Sequence, residues 1–103
     1  MKYKKRTFVL DTKRIARGVA CNDKGCLCAS AQLVSQLCGL SASLFRSGNL
    51  DMEEALRING LSHIAHTIGK IIQVNDSHTK TADKVAKIRK ILEPVNVEVR
   101  VQS

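Results

Sequence analysis

From Val95 to Val101 the chain reads Val-Asn-Val-Glu-Val-Arg-Val, an unbroken alternation with four valines on one side and polar residues on the other. A period of two is that of a half-buried β-strand. A lone strand leaves its backbone donors and acceptors unpaired, so a second must lie beside it. The partner the sequence offers is Thr7-Phe8-Val9-Leu10, a β-prone run at the opposite end of the chain. Strands near 7–10 and 95–101 are therefore expected to form a small terminal sheet that brings the two ends together. Everything between must leave that sheet and come back to it.

What lies between reads as helices. In Leu61–Asp76 the apolar residues Leu61, Ile64, Ala65, Ile68, Ile71 and Ile72 recur at three and four, which builds one apolar stripe along a central helix. Ser62 is the expected N-cap, and Asn75-Asp76 the stop. Cys26–Leu40 carries Leu27, Ala31, Val34, Leu37 and Cys38 on one helical face, with Gly39 as C-cap. Asp51-Met52-Glu53-Glu54 has capping-box spacing and opens a short helix to Ile58, which Asn59-Gly60 ends. Thr81 caps a last helix to about Leu92, with Val85, Ile88, Ile91 and Leu92 inward, and Pro94 stops it. A further helix is expected from Asp11 or Thr12 to about Val19, weakened by Gly18. The sum is a mostly helical, single α+β domain over 7–103, preceded by a basic arm at 1–6 that is mobile at its tip.

Charge is the feature that bears on function. The chain of 103 residues carries a net +8, and the excess is uneven. Residues 1–24 hold eight basic side chains against Asp11 and Asp23, and residues 80–90 hold five against Asp83. Two basic blocks around a near-neutral middle point to an anionic partner: nucleic acid, a nucleotide or an acidic protein face. The plainer alternative is that the charge only keeps a small protein in solution. The residues expected to make the contact are Lys2, Lys4, Lys5, Arg6, Lys13, Arg14 and Arg17, with Lys84 and Lys87 as a second patch. No apolar run approaches the roughly 20 residues of a membrane span. The charged N-terminus lacks the apolar stretch of a signal peptide, which points to the cytosol.

Cys21, Cys26, Cys28 and Cys38 with His63, His66 and His78 raise the question of zinc. The spacing is C-x4-C-x-C rather than paired C-x2-C knuckles, and Cys38 falls on an apolar helix face. Four reduced thiols in or near the core, with no metal and no cofactor, are the expectation. His63 and His66 sit three apart without the glutamate that H-E-x-x-H requires. No phosphate loop, nucleophile elbow or useful pair of acids is present, so no enzyme chemistry is expected. A helix-turn-helix is the competing reading of 51–74, as a dimer with Leu61–Val74 as recognition helix, to be tested by substitutions at His63, His66 or Thr67. Against it, Lys70 is the only basic residue of that helix, and the acids at 51–54 would be repelled by phosphate.

Two patches resemble a known group. Gly25-Cys26-Leu27-Cys28-Ala29-Ser30-Ala31 resembles the Cys-Cys-Leu-Gly-Val-Leu or Cys-Ala-Leu-Gly-Ala segment of small bacteriophage proteins without assigned activity. Ile71–Asp76 followed by Thr81–Ala86 is similar to their Leu-Asn-Asp turn and closing helix, in the same order over roughly residues 12–92. This chain departs from the pattern where Ala29 or Ser30 replaces the glycine and Ala82 the aromatic. The resemblance implies a phage or prophage origin and a bacterial cytoplasm. It also implies that Asn75 and Asp76 either tie the central helix to Cys26–Ala31 or line a ligand pocket with Cys28. With the charge, it leads to a non-enzymatic binding protein, monomer or homodimer, that inhibits a host protein or ribonucleoprotein complex of defence or nucleic-acid handling. A nucleic-acid regulator and a sponge for an anionic nucleotide are the alternatives.

Overall fold

In the computed structural model, which describes residues 2–102, the two ends of the chain do pair. Strand β1 (Arg6–Asp11) lies beside β2 (Val97–Gln102), in register from Arg6 opposite Val97 to Asp11 opposite Gln102. The pairing is parallel, so the strands meet but the two termini leave from opposite ends of the ribbon. Parallel strands need a long crossover, and the intervening helices supply it. These are α1 (Ala29–Cys38), α2 (Met52–Ile58), α3 (Ser62–Ala65), α4 (Ile68–Asp76) and α5 (Thr81–Leu92). The result is the expected mostly helical, single α+β domain.

One face of the ribbon is dry. Phe8 and Leu10 of β1, with Val97 and Val99 of β2, are buried together with Leu33, Leu56, Ile64, Ile71, Ile88 and Leu92 from the helices. Of the four alternating valines only Val101, at the end of the sheet, is exposed. The outer edge of β1 is sealed by side chains. Gln36 brackets Val9, accepting from its N–H at 2.8 Å and donating to its carbonyl at 2.6 Å. Gln32 does the same for Asp11, at 2.8 and 3.2 Å. The geometry follows from spacing: four residues of helix rise about 6 Å and two residues of strand about 6.6 Å, so successive amides meet successive outward-facing strand residues.

Several boundaries differ from the sequence reading. Residues 12–19 form no helix. Ala16 N–H donates to Leu27 O at 3.1 Å, short bridges join Ile15 and Cys21 to Leu27, and Gly18 takes φ +76. Thr12, Ile15, Gly18 and Val19 are poor helix formers, and distant partners satisfy this backbone instead. The first long helix starts at Ala29, three residues late, with Cys28 as its N-cap. The central helix is broken at His66-Thr67, where the Thr67 hydroxyl and N–H both donate to Ile64 O, at 2.7 and 2.9 Å. That local bond competes with the helical ladder. Its apolar stripe is buried as expected, except that Ile72 is half-buried. Ser62 and Thr81 are first-turn residues rather than caps, since Leu61 and Lys80 occupy the cap positions without side-chain bonds. Asp51 does cap α2, accepting from Glu54 N–H at 3.1 Å.

The arm is anchored close to its start. Asn96 donates from Nδ2 to Tyr3 O at 2.7 Å, and the Tyr3 ring stacks on His63 with centroids 4.2 Å apart. Arg6 already belongs to β1, and Met1 lies outside the described residues. His63 Nε2 is buried without a partner. Burial, then Arg6 and His66, hold its imidazole below the ordinary 6.5. The sign follows: the unfolded chain takes up the proton near 6.5 while the fold resists it, so this stacking is at full strength above 6.5 and loses stability as pH falls towards the depressed value. Tyr3 is the only tyrosine and there is no tryptophan, so its emission reports this contact alone. Acidification is expected to change that emission with a midpoint below 6.5, and His63→Gln to abolish the change. A flat titration would contradict the assignment.

Candidate binding surface

Asn75 is the polar centre of the molecule. Its side chain is 2 % exposed, yet all its contacts are made. Oδ1 accepts from Ala29 N–H at 2.9 Å, and Nδ2 donates to Ala16 O at 2.9 Å and to Asp76 Oδ1 at 3.0 Å. Ala29 opens α1, so Asn75 caps that helix from another one, beside Cys28, whose Sγ accepts from Ala31 N–H at 3.4 Å. Asp76 reaches elsewhere, accepting from Gly18 N–H at 3.0 Å. That bond, then the Asn75 amide, holds its carboxyl below the usual aspartate value. Asn75 thus ties α4 to the segment after Cys28, and Asp76 ties it to the loop before.

Cys28, Asn75 and Asp76 also share one cleft, with Gly18, Val19, Ala20, Met52 and Ile72. It encloses about 140 Å³. Pockets for small molecules run from about 300 Å³ upward, so this cleft is too small for a whole nucleotide.

The basic residues divide into those spent on the fold and those left to solvent. Arg17 donates from Nη2 to Asp76 O at 3.4 Å and Ser77 O at 3.1 Å, and meets His78 Nδ1 at 3.2 Å. Lys84 donates from Nζ to Asn75 O at 2.9 Å. Both cations thus sit on the carbonyl end of α4, where the helix dipole is negative. Burial, then Arg17, depresses Lys84, and Asp76 partly offsets this. Lys5 lies 3.9 Å from Glu98, Arg6 bonds Lys4 O at 3.2 Å, and Lys2 stands 5.7 Å over the Tyr3 ring. Lys4, Lys13, Arg14 and Lys87 are exposed. Of seventeen lysines and arginines, only Lys5, Arg57 and Arg100 come within ion-pair distance of a carboxylate among the described residues.

Lys87 belongs to a surface not visible in the sequence blocks. Lys70, Gln73 and Val74 on α4, with Lys87, Lys90 and Ile91 on α5 and Pro94 just beyond it, line a shallow, open groove of about 480 Å³. Val74 and Ile91 are half-buried and the three lysines exposed. The structure therefore groups Lys87 with Lys70 and Lys90 rather than with Lys84. The signal available in sequence was K-x-x-x-V on one helix and K-x-x-K-I on the next, each placing lysine and an aliphatic residue on one helical face.

The cysteines are unpaired, with Cys28 buried and Cys21, Cys26 and Cys38 half-buried. Burial pushes the Cys38 thiol up. Among the described residues no three histidine, cysteine or acidic side chains gather as a metal site. The stretch weighed as a recognition helix is divided at His66-Thr67, with His63 under Tyr3 and Thr67 buried; only His66 of the three is exposed. No helix is long and apolar enough to cross a membrane among the described residues. Compared with known proteins, the chain matches no family model, no curated protein and no solved structure.

Proposed function

We propose that this is a non-enzymatic binding protein that acts by occupying an anionic face of a partner. The observation that carries the reading is the pairing imbalance: among the described residues most cations have no carboxylate within ion-pair distance, and several stand exposed. Exposed like charges left unpaired raise the free energy of the isolated fold and are neutralised by an anionic partner. Within this reading, the resemblance to small bacteriophage proteins directs attention to a host complex of defence or nucleic-acid handling, inhibited by occupancy. Lys4, Lys13 and Arg14 near the start, and Lys70, Lys87 and Lys90 on the helices, are the contact residues. Arg17 and Lys84 act on the fold.

The test is binding to a probe polyanion, heparin, across a salt series. Four to six contacts predict an affinity loss on the order of a hundred- to a thousandfold between about 50 and 200 mM salt. Changing Lys4, Lys13 and Arg14 to alanine together is expected to flatten that slope. An affinity that ignores salt would reject the proposal.

A further inference from the structure

The groove between α4 and α5 has a chemistry more specific than positive charge. Its lining pairs aliphatic surface, from half-buried Val74 and Ile91 and exposed Pro94, with the exposed lysines Lys70, Lys87 and Lys90. None of the three lysines is within ion-pair distance of a carboxylate among the described residues. We infer that this groove seats an acidic amphipathic helix of a partner protein, with apolar side chains on the aliphatic surface and carboxylates against the lysines. The inference rests on the binding role proposed above and names the partner's class.

Two features favour a protein segment over nucleic acid. A phosphate backbone gains nothing from an aliphatic surface. Single-stranded nucleic acid is held largely by stacking of its bases on aromatic rings. All three aromatics of this chain are already used: Phe8 and Phe45 are 0 % and 1 % exposed, and Tyr3 is stacked on His63. An acidic helix matches both parts of the groove. Apolar side chains at i, i+4 and i+7 would cover a stripe of about 10 Å, the rise from Lys87 to Pro94 along the groove at about 1.5 Å per residue.

The experiment uses the full chain and three labelled probes. One is a 16-residue glutamate-rich peptide with leucines at i, i+4 and i+7; the second has the same composition with the leucines dispersed; the third is a 16-nucleotide thymidine strand. The first is expected to bind tightest and to gain helical circular dichroism on binding. K70E/K87E/K90E is expected to weaken it about tenfold or more, as reversed charge at three contacts should. Val74→Ser with Ile91→Ser is expected to weaken the first peptide and leave the dispersed one unchanged, with melting curves confirming that the variants fold. Equal affinity for both peptides, or tighter binding of the thymidine strand, would overturn the inference. Heparin binding that keeps its salt dependence while both peptides bind equally would sink the groove assignment and leave the broader reading standing. Loss of salt dependence for every probe would sink both.

Discussion

Asn75→Leu is expected to destabilise the protein by about 2–5 kcal/mol, because it orphans two buried backbone groups at once. Leucine has the same branched skeleton as asparagine and is the bulkier of the two, so the change removes hydrogen bonds without opening a cavity. The Ala29 N–H loses its acceptor and the Ala16 carbonyl its donor, both held at 2.9 Å in the parent. Each unsatisfied buried group costs about 1–3 kcal/mol. Against a total of roughly 5–15 kcal/mol for a domain of this kind, the loss should lower the melting temperature by about 8 °C or more, at about 4–8 °C per kcal/mol. A companion variant separates the two bonds. Asn75→Asp keeps the acceptor for Ala29 N–H but sets a carboxylate against the Ala16 carbonyl and beside Asp76. The introduced carboxyl is expected to titrate above the ordinary aspartate value of about 3.9. Its folded value being raised, that variant regains stability as pH falls from neutral towards 4, opposite to the trend Asp76 contributes in the parent. Thermal melts of both variants from pH 4 to 8 check this, and a leucine variant within 0.5 kcal/mol of the parent would refute it.

How much of this was legible depends on where each constraint resides. The strand at Val97–Gln102 and the helices α2 and α5 could be read because their apolar spacing and the Asp51 cap act over a few residues. The direction of strand pairing could not, since a register of six residues fits either orientation until the crossover is known. Residues 12–19 depart from the expected helix for a related reason. Their hydrogen-bond partners include Leu27, Gln32, Asn75, Asp76 and Gln102, and no local pattern reveals a partner about 60 residues or more away. The break at Thr67 had a local signal in its hydroxyl, which the strong apolar stripe through Ile64 and Ile68 masked. For the candidate surface, the sequence pointed to charge but not to its allocation. Arg17 and Lys84 look like free cations in the chain and are C-terminal partners of α4 in the fold, whereas Lys70 looks isolated and stands beside Lys87 and Lys90.

Gln32→Ala is expected to cost about 2–4 kcal/mol, and Gln36→Ala less than about 1 kcal/mol, although the two amides perform the same task one helical turn apart. The difference is burial. Gln32 is 7 % exposed, and its amide serves Asp11 N–H and the carbonyls of Asp11, Arg14 and Leu27. Four bonds from one largely buried amide are harder for water to replace than two from an exposed one. Gln36 is exposed, so water can take over its bonds to Val9. The double variant should reveal a second effect. With both amides gone, β1 presents an unprotected edge carrying Val9, and exposed edges recruit strands from other chains. Light scattering that rises with protein concentration is expected for the double variant and not for Gln36→Ala alone. If Gln32→Ala melts within a degree or two of the parent, the glutamine bracket contributes nothing to the fold, and what keeps β1 in register must be its pairing with β2 and the burial of Phe8 and Leu10.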